Sequence, residues 1–203
     1  MALAIGYGGT ATYESIMRGS SPATFHVVAV GGPRADPIPL SALASWHNGW
    51  FLYVTGESDR PPVSFGASVF TPDEYAHMAD VRQVFIAFRL TAAAAAIIGV
   101  GLVLRAARRR AAVSLIRASA LIAAVGVAAI AIVAAVAFDP LFLLFHEVFF
   151  PQGNFLFPAD SNLLAVYPDE YWYGVTLRIG ATFAGAMAFI ALAATATLRQ
   201  ARR

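Results

Sequence analysis

Residues 84–137 read VFIAFRLTAAAAAIIGVGLVLRAARRRAAVSLIRASALIAAVGVAAIAIVAAVA, two apolar runs divided by an arginine-rich hinge. The runs, 84–104 and 115–137, each reach the roughly 20 residues that a helix needs to cross a bilayer. A third run of this kind covers 172–198. The hinge holds Arg105, Arg108, Arg109 and Arg110, Arg117 follows, and no acidic residue occurs anywhere in 84–137. Apolar runs of this length and a purely basic turn predict an all-α polytopic membrane protein with three transmembrane helices in this chain.

Composition agrees with that reading. Of 203 residues, 59% are hydrophobic and only 13% charged, where a soluble domain carries about 25% charged residues. Soluble globular, disordered and nucleic-acid-binding classes fit poorly, and arginines 108–110 lie between two spans, where a nucleic-acid patch has no place. With no cysteine, disulfides, Cys-ligated zinc and thiol nucleophiles are excluded.

The charges sort by position. All twelve acids lie within 1–83 and 138–170, and arginines crowd the 105–117 segment and the C-terminus (Arg199, Arg202, Arg203). The positive-inside rule then puts the hinge and the tail in the cytoplasm and faces 1–83 and 138–171 outward. Export of residues 1–83 calls for a leading signal or span. Met1–Ile5, followed by Gly6, Gly8 and Gly9, has neither the basic start nor the length. An upstream helix missing from this chain is therefore expected.

Residues 1–70 are expected to form an extracytoplasmic cap with short strands at Thr24–Val30 and Trp50–Thr55, both β-branched and aromatic runs. The membrane helical domain is 71–203. Thr71-Pro72-Asp73-Glu74 opens its first helix: Thr71 as N-cap, Pro72 at the first helical position, and Glu74 completing a capping box. Between 138 and 171 lies an outer aromatic loop. Asp139-Pro140 can start a helix there and Pro151 ends it, a length too short to span, so it reads as an interfacial helix. Asp160 and Asn162 read as helix-capping residues.

Chemistry-bearing residues are few. His77 and Asp80 are three apart on one helix face, so the carboxylate can orient the imidazole. His146 and Glu147 sit in a strongly apolar segment, where ionisable groups are costly and mark function. A low-dielectric setting would keep His146 neutral and basic. His146-Glu147 begins like a zinc-protease helix, but Phe150 stands where a second histidine is required, so no metal site is read there. Arg89 and Arg178 lie just inside the outer ends of their spans and are candidates for an oxyanion or lipid-headgroup contact. His26 and His47, in the cap, read as structural.

Two segments resemble a known family. Glu74, His77-Met78, Asp80-Val81 and Phe85 resemble one signature of the bacterial lipoprotein intramolecular transacylases, which are integral membrane proteins. Phe145-His146, Phe149-Phe150, Gly153-Asn154-Phe155, Phe157, Asp160, Leu163-Leu164, Tyr167-Pro168, Glu170 and Trp172 resemble a second. The resemblance covers about residues 70–173. It implies four spans, of which the first is absent here, and an extracytoplasmic active face in the bacterial cytoplasmic membrane. The implied substrate is a diacylated bacterial lipoprotein. Its sn-2 acyl chain moves from the diacylglyceryl-cysteine to the α-amino group of the same cysteine, leaving a lyso-lipoprotein. The family's essential histidines fall on His77 and His146, and no cofactor is implied. Asp80 and Glu147 are then the orienting residues, and Phe145, Phe149, Phe150, Phe155 and Phe157 are expected to line a groove for acyl chains and membrane lipid. The competing expectation is a non-catalytic membrane protein that uses the same groove to bind a lipid or lipoprotein.

Overall fold

The computed structural model describes residues 6–19, 24–26, 35–62, 69–201 and 203. In chain order these form α1 (Thr10–Met17), β1 (Thr24–His26), β2 (Ala35–Pro37), α2 (Leu40–Thr55), α3 (Pro72–Arg108), α4 (Ala112–Val136), α5 (Phe138–Phe149), α6 (Asn162–Val166) and α7 (Asp169–Gln200). The described chain is mostly helical. By packing it divides into two units, one made of Met1–Phe88 with Asp139–Val175 and the other of Arg89–Phe138 with Thr176–Arg203.

The second unit contains most of the apolar sequence. Helices α3, α4 and α7 are each long and apolar enough to cross a membrane, with mean hydropathies of 2.1, 2.6 and 1.8 over their best windows. Leu90, Ile97, Ile98, Val125, Ile130 and Leu192 project outward, each more than half exposed. Only an apolar phase tolerates so continuous an apolar surface. Among the described residues, the buried positions of this unit are all alanines: Ala120, Ala134, Ala191 and Ala194. At Gly180 a Cβ would stand 3.3 Å from that of Ala131, so α4 and α7 approach through small residues. Thr195 and Thr197 return their hydroxyl protons to the carbonyls of Ala191 and Ala193, which satisfies them without water.

The first unit is built on a helical framework. The strand expected at Trp50–Thr55 is instead the end of α2. Its β-branched and aromatic side chains favour a strand locally, but Leu43, His47, Trp50 and Val54 repeat at helical spacing and are all buried on one face. Gly56, at φ 81°, closes the helix in the left-handed region, and the N–H of Glu57 reaches back to the carbonyl of Leu52 at 2.8 Å. Of Thr24–Val30, only β1 is described, paired antiparallel to β2 with Phe25 opposite Asp36; residues 27–30 lie outside the described residues. Among the described residues the cap is mainly helical, with one short strand pair.

Helix α1 is fastened by Tyr13, whose hydroxyl donates to the carbonyl of Val166 at 2.8 Å and whose ring stacks on His47 at 4.2 Å. The His47 Nε2 lies 2.7 Å from the carbonyl of Gly8. His47 is therefore a buried, hydrogen-bonded member of the core, as a structural histidine should be. Tyr13, Trp50, Phe70 and Phe150 are the largest side chains sealed from solvent.

The start of α3 follows the capping box expected for it. The backbone N–H of Thr71 donates to Glu74 Oε2 at 2.6 Å, and that of Glu74 to Thr71 Oγ1 at 3.2 Å. Glu74 does more than cap. Its Oε1 accepts from the N–H of Leu163 at 2.9 Å and from the hydroxyl of Ser161. A carboxylate sealed from water is costly unless its lone pairs are filled, and these are. The cap of α6 is Ser161, whose Oγ accepts from the N–H of Leu164 at 3.2 Å, rather than Asp160 or Asn162. Asn162 is turned away to donate to the carbonyl of Val69. Arg82 ties α3 to the loop before it, donating to the Ser58 carbonyl at 3.0 Å and to Asp59 at 2.8 Å.

Candidate active site

The first two turns of α3 precede the apolar run 84–104 and bury Glu74, His77 and Met78 on one face. Facing His77 is the C-terminal end of α5, a 12-residue helix that stops before Pro151. The imidazoles of His77 and His146 lie 6.0 Å apart between centroids and 18° from parallel. Two residues distant by 69 positions thus share one chamber inside the first unit.

Phenylalanines enclose the pair. Phe150 lies 4.8 Å and Phe157 5.4 Å from the His77 ring. Around His146 stand Phe142 at 4.3 Å, Phe155 at 5.1 Å, and Phe145 and Phe150 at 5.5 Å. Phe149 touches Phe145 at 4.7 Å and Phe88 at 5.3 Å. Phe150 is sealed, whereas Phe145 and Phe149 are partly exposed beside the outward Leu144 and Val148. The cage therefore continues into an apolar surface on α5.

Burial sets the protonation states. Desolvation chiefly, with a smaller contribution from the neighbouring His146, lowers the pKa of His77 to about 4 against opposing contributions from Asn154 and Asp80. His146 is also pushed down by burial, opposed by its bond to the Phe142 carbonyl. Both rings are neutral at pH 7. The Nδ1 of His146 is 2.8 Å from that carbonyl, which only accepts, so Nδ1 carries the proton and Nε2 the lone pair. The Nδ1 of His77 is buried with no hydrogen-bond partner among the described residues.

Asp80 does not reach His77 directly. Its Oδ2 accepts from Asn154 Nδ2 at 2.6 Å and from Gln152 Nε2 at 2.8 Å. Asn154 Nδ2 thus donates to the carboxylate while its Oδ1 accepts from Gln152 Nε2 at 3.2 Å, and its acceptor oxygen beside His77 favours the imidazolium form of that ring. Gly153, at φ 77°, forms the turn that presents both amides to Asp80, a conformation natural to glycine. Asn154 and Gln152 were missed as site residues. Asn154 stood only as one position of the second family signature, and Gln152 had no signal beyond the Gly-Asn turn beside it, since their partner lies more than 70 residues away.

The other expected residues fall elsewhere. Glu147 is exposed on α5 and has no side-chain hydrogen bond among the described residues. It does not join the histidines. Arg89 and Arg178 are exposed members of the second unit.

Three membrane-length helices, with a unit that shelters two neutral imidazoles among phenylalanines, define a membrane protein with a histidine pair in an aromatic cage. The model of the family described as lipoprotein intramolecular transacylase Lit matches residues 44–172, more than half of the chain, including both histidines, Asp80 and Asn154. The chain belongs to this family. No curated protein and no solved structure matches it.

Proposed function

We propose that this protein moves the sn-2 acyl chain of a diacylglyceryl-cysteine lipoprotein onto the α-amino group of the same cysteine. In this reading the active face is extracytoplasmic, and the hinge 105–114 and the C-terminus are cytoplasmic, in a bacterial cytoplasmic membrane. The observation that carries it is the neutral His77–His146 pair, 6.0 Å apart within an aromatic cage.

The reaction needs one proton moved. The cysteine amine attacks the sn-2 ester carbonyl, a C–N bond forms, the C–O bond breaks, and the amine's proton ends on the released glycerol oxygen. A neutral imidazole can take that proton and return it. His146 Nε2 is the base, with its lone pair fixed by the Nδ1–H bond to Phe142. His77, with Asn154 and Asp80 beside it favouring its protonated form, assists as the proton donor to the leaving oxygen. Two rings this close resist double protonation, so one proton shared between them matches the needs of the reaction. Amine and ester belong to one molecule, so holding them together supplies much of the rate. Phe145, Phe149, Phe155 and Phe157 offer the migrating chain an apolar bed. Backbone N–H groups are the candidates for stabilising the oxyanion.

The test is to co-express the protein with a reporter lipoprotein and weigh its N-terminal peptide by mass spectrometry. An N-acylated lyso peptide, unchanged in total acyl count, is expected. A reporter that stays diacylated on glycerol, with a free amine, would refute the reading.

A further inference from the structure

The turn between α3 and α4 forms an open cavity of about 420 Å³ lined by Leu102, Arg105, Ala106, Arg109, Ala111, Ser114 and Leu115. We infer that this cavity binds an anionic phospholipid, with the phosphate between Arg105 and Arg109 and the acyl chains against Leu102 and Leu115.

Charge is the first ground. Residues 89–138 and 176–203, which make up this unit, contain no acidic residue. Arg105 and Arg109 make no ion pair among the described residues. They stand four apart on the wall of one cavity, a like-charge arrangement that is unfavourable on its own and favourable around a shared anion. The second ground is the donor set. Ser114 adds a hydroxyl to the same wall, and Ala111, the N-cap of α4, supplies no side chain to cap the first-turn N–H groups. Those groups add further donors at the positive end of the helix dipole.

The apolar part of the lining selects among anions. Leu102, Ala106 and Leu115 give nothing to a free phosphate but suit the first methylenes of an acyl chain. The cavity also lies where two apolar spans end, the depth at which lipid headgroups sit. Arg110 separates the two elements at φ 58°, which holds the turn in the left-handed region, and the N–H of Ala111 closes it onto the Ala106 carbonyl at 2.8 Å. The cavity walls are thereby fixed by backbone bonds rather than by the arginines, so the arginines can be replaced without unmaking it.

The experiment uses the full chain purified in a neutral detergent, with bound lipid counted by native mass spectrometry. Phosphatidylglycerol should bind at least about tenfold more tightly than phosphatidylcholine. Each arginine near a membrane surface contributes about a fivefold gain for anionic lipid, so Arg105→Gln with Arg109→Gln should weaken phosphatidylglycerol about twenty- to thirtyfold. The paired lysine substitutions should restore most of the binding, and Arg199→Gln, outside the cavity, should leave it unchanged. Inorganic phosphate at millimolar concentration should not displace the lipid. Equal binding of the two lipids, retention by the glutamine pair, equal loss in Arg199→Gln, or displacement by phosphate would each overturn the inference.

Discussion

Asn154 ties Asp80 to the loop beside His77, donating from Nδ2 to the carboxylate at 2.6 Å, accepting from Gln152 at its Oδ1, and raising the pKa of the imidazole. The loop after α5 is thereby attached to the start of α3 at the point where the two histidines meet. A carboxylate that acts through an amide orients the ring without placing a full negative charge against it, which suits an imidazole that must stay neutral and basic.

Asn154→Ala removes that link. Transfer to the reporter amine is expected to fall about ten- to hundredfold, the size of loss that follows a misplaced catalytic group. The limb of the pH–rate profile that His77 sets should also move to lower pH, because Asn154 raises the pKa of His77. Rates measured between pH 4 and 8 on purified protein check both. A merely structural role would lower the rate without moving the limb.

Glu74→Ala deletes two acceptor oxygens that take three hydrogen bonds in one buried corner and leaves the N–H groups of Thr71 and Leu163 without a partner. Lost capping and orphaned donors together should cost about 2–4 kcal/mol. Thermal unfolding in detergent is expected to show a Tm well below that of the parent. Glu74→Gln, which keeps an acceptor oxygen, should fall between the two.

His47→Ala removes a ring stacked on Tyr13 and a bond to the Gly8 carbonyl. A cavity in this core should cost about 2–4 kcal/mol. Transfer per folded molecule should be unchanged, since His47 touches neither His77 nor His146. A Tm measurement beside a rate normalised to folded protein checks the distinction.

Stability should fall in mild acid. Desolvation holds His47 and His77 at about 4 in the folded chain, against 6.5 for an ordinary histidine. Above pH 6.5 neither state takes a proton at these sites, so their full contribution is present. Between 6.5 and 4 the unfolded chain takes protons that the folded one refuses, and stability declines; below 4 the loss levels off. Tm measured across pH 4–8 should show this slope, and the slope should shrink in His47→Phe.

The spans were legible because their signal is one-dimensional: length, hydropathy and the absence of acids between 84 and 137 need no partner. The capping box at Thr71–Glu74 was legible for the same reason, since all its atoms lie within one turn. Long-range use of the same residues was not. The second oxygen of Glu74 serves Leu163 and Ser161, 87 to 89 positions away, and Asp80 binds amides more than 70 positions away. Trp50–Thr55 misled because aromatic and β-branched side chains were weighed over six residues, whereas the helical stripe emerges only over the sixteen of α2. Glu147 was drawn toward the site by adjacency to His146, yet successive helical residues point about 100° apart, and it faces outward.

The most direct test of the paired-histidine account is a single-turnover assay with a synthetic diacylglyceryl-cysteine peptide and purified parent, His77→Gln and His146→Gln proteins. Mass spectrometry of the peptide reads the fraction of acyl chain moved to nitrogen. The account predicts rapid conversion by the parent and a loss of at least about a hundredfold in each variant, the range for removal of a positioned general acid or base, with both variants retaining the parent's Tm within a few degrees. Conversion near the parent's rate by either folded variant would contradict it.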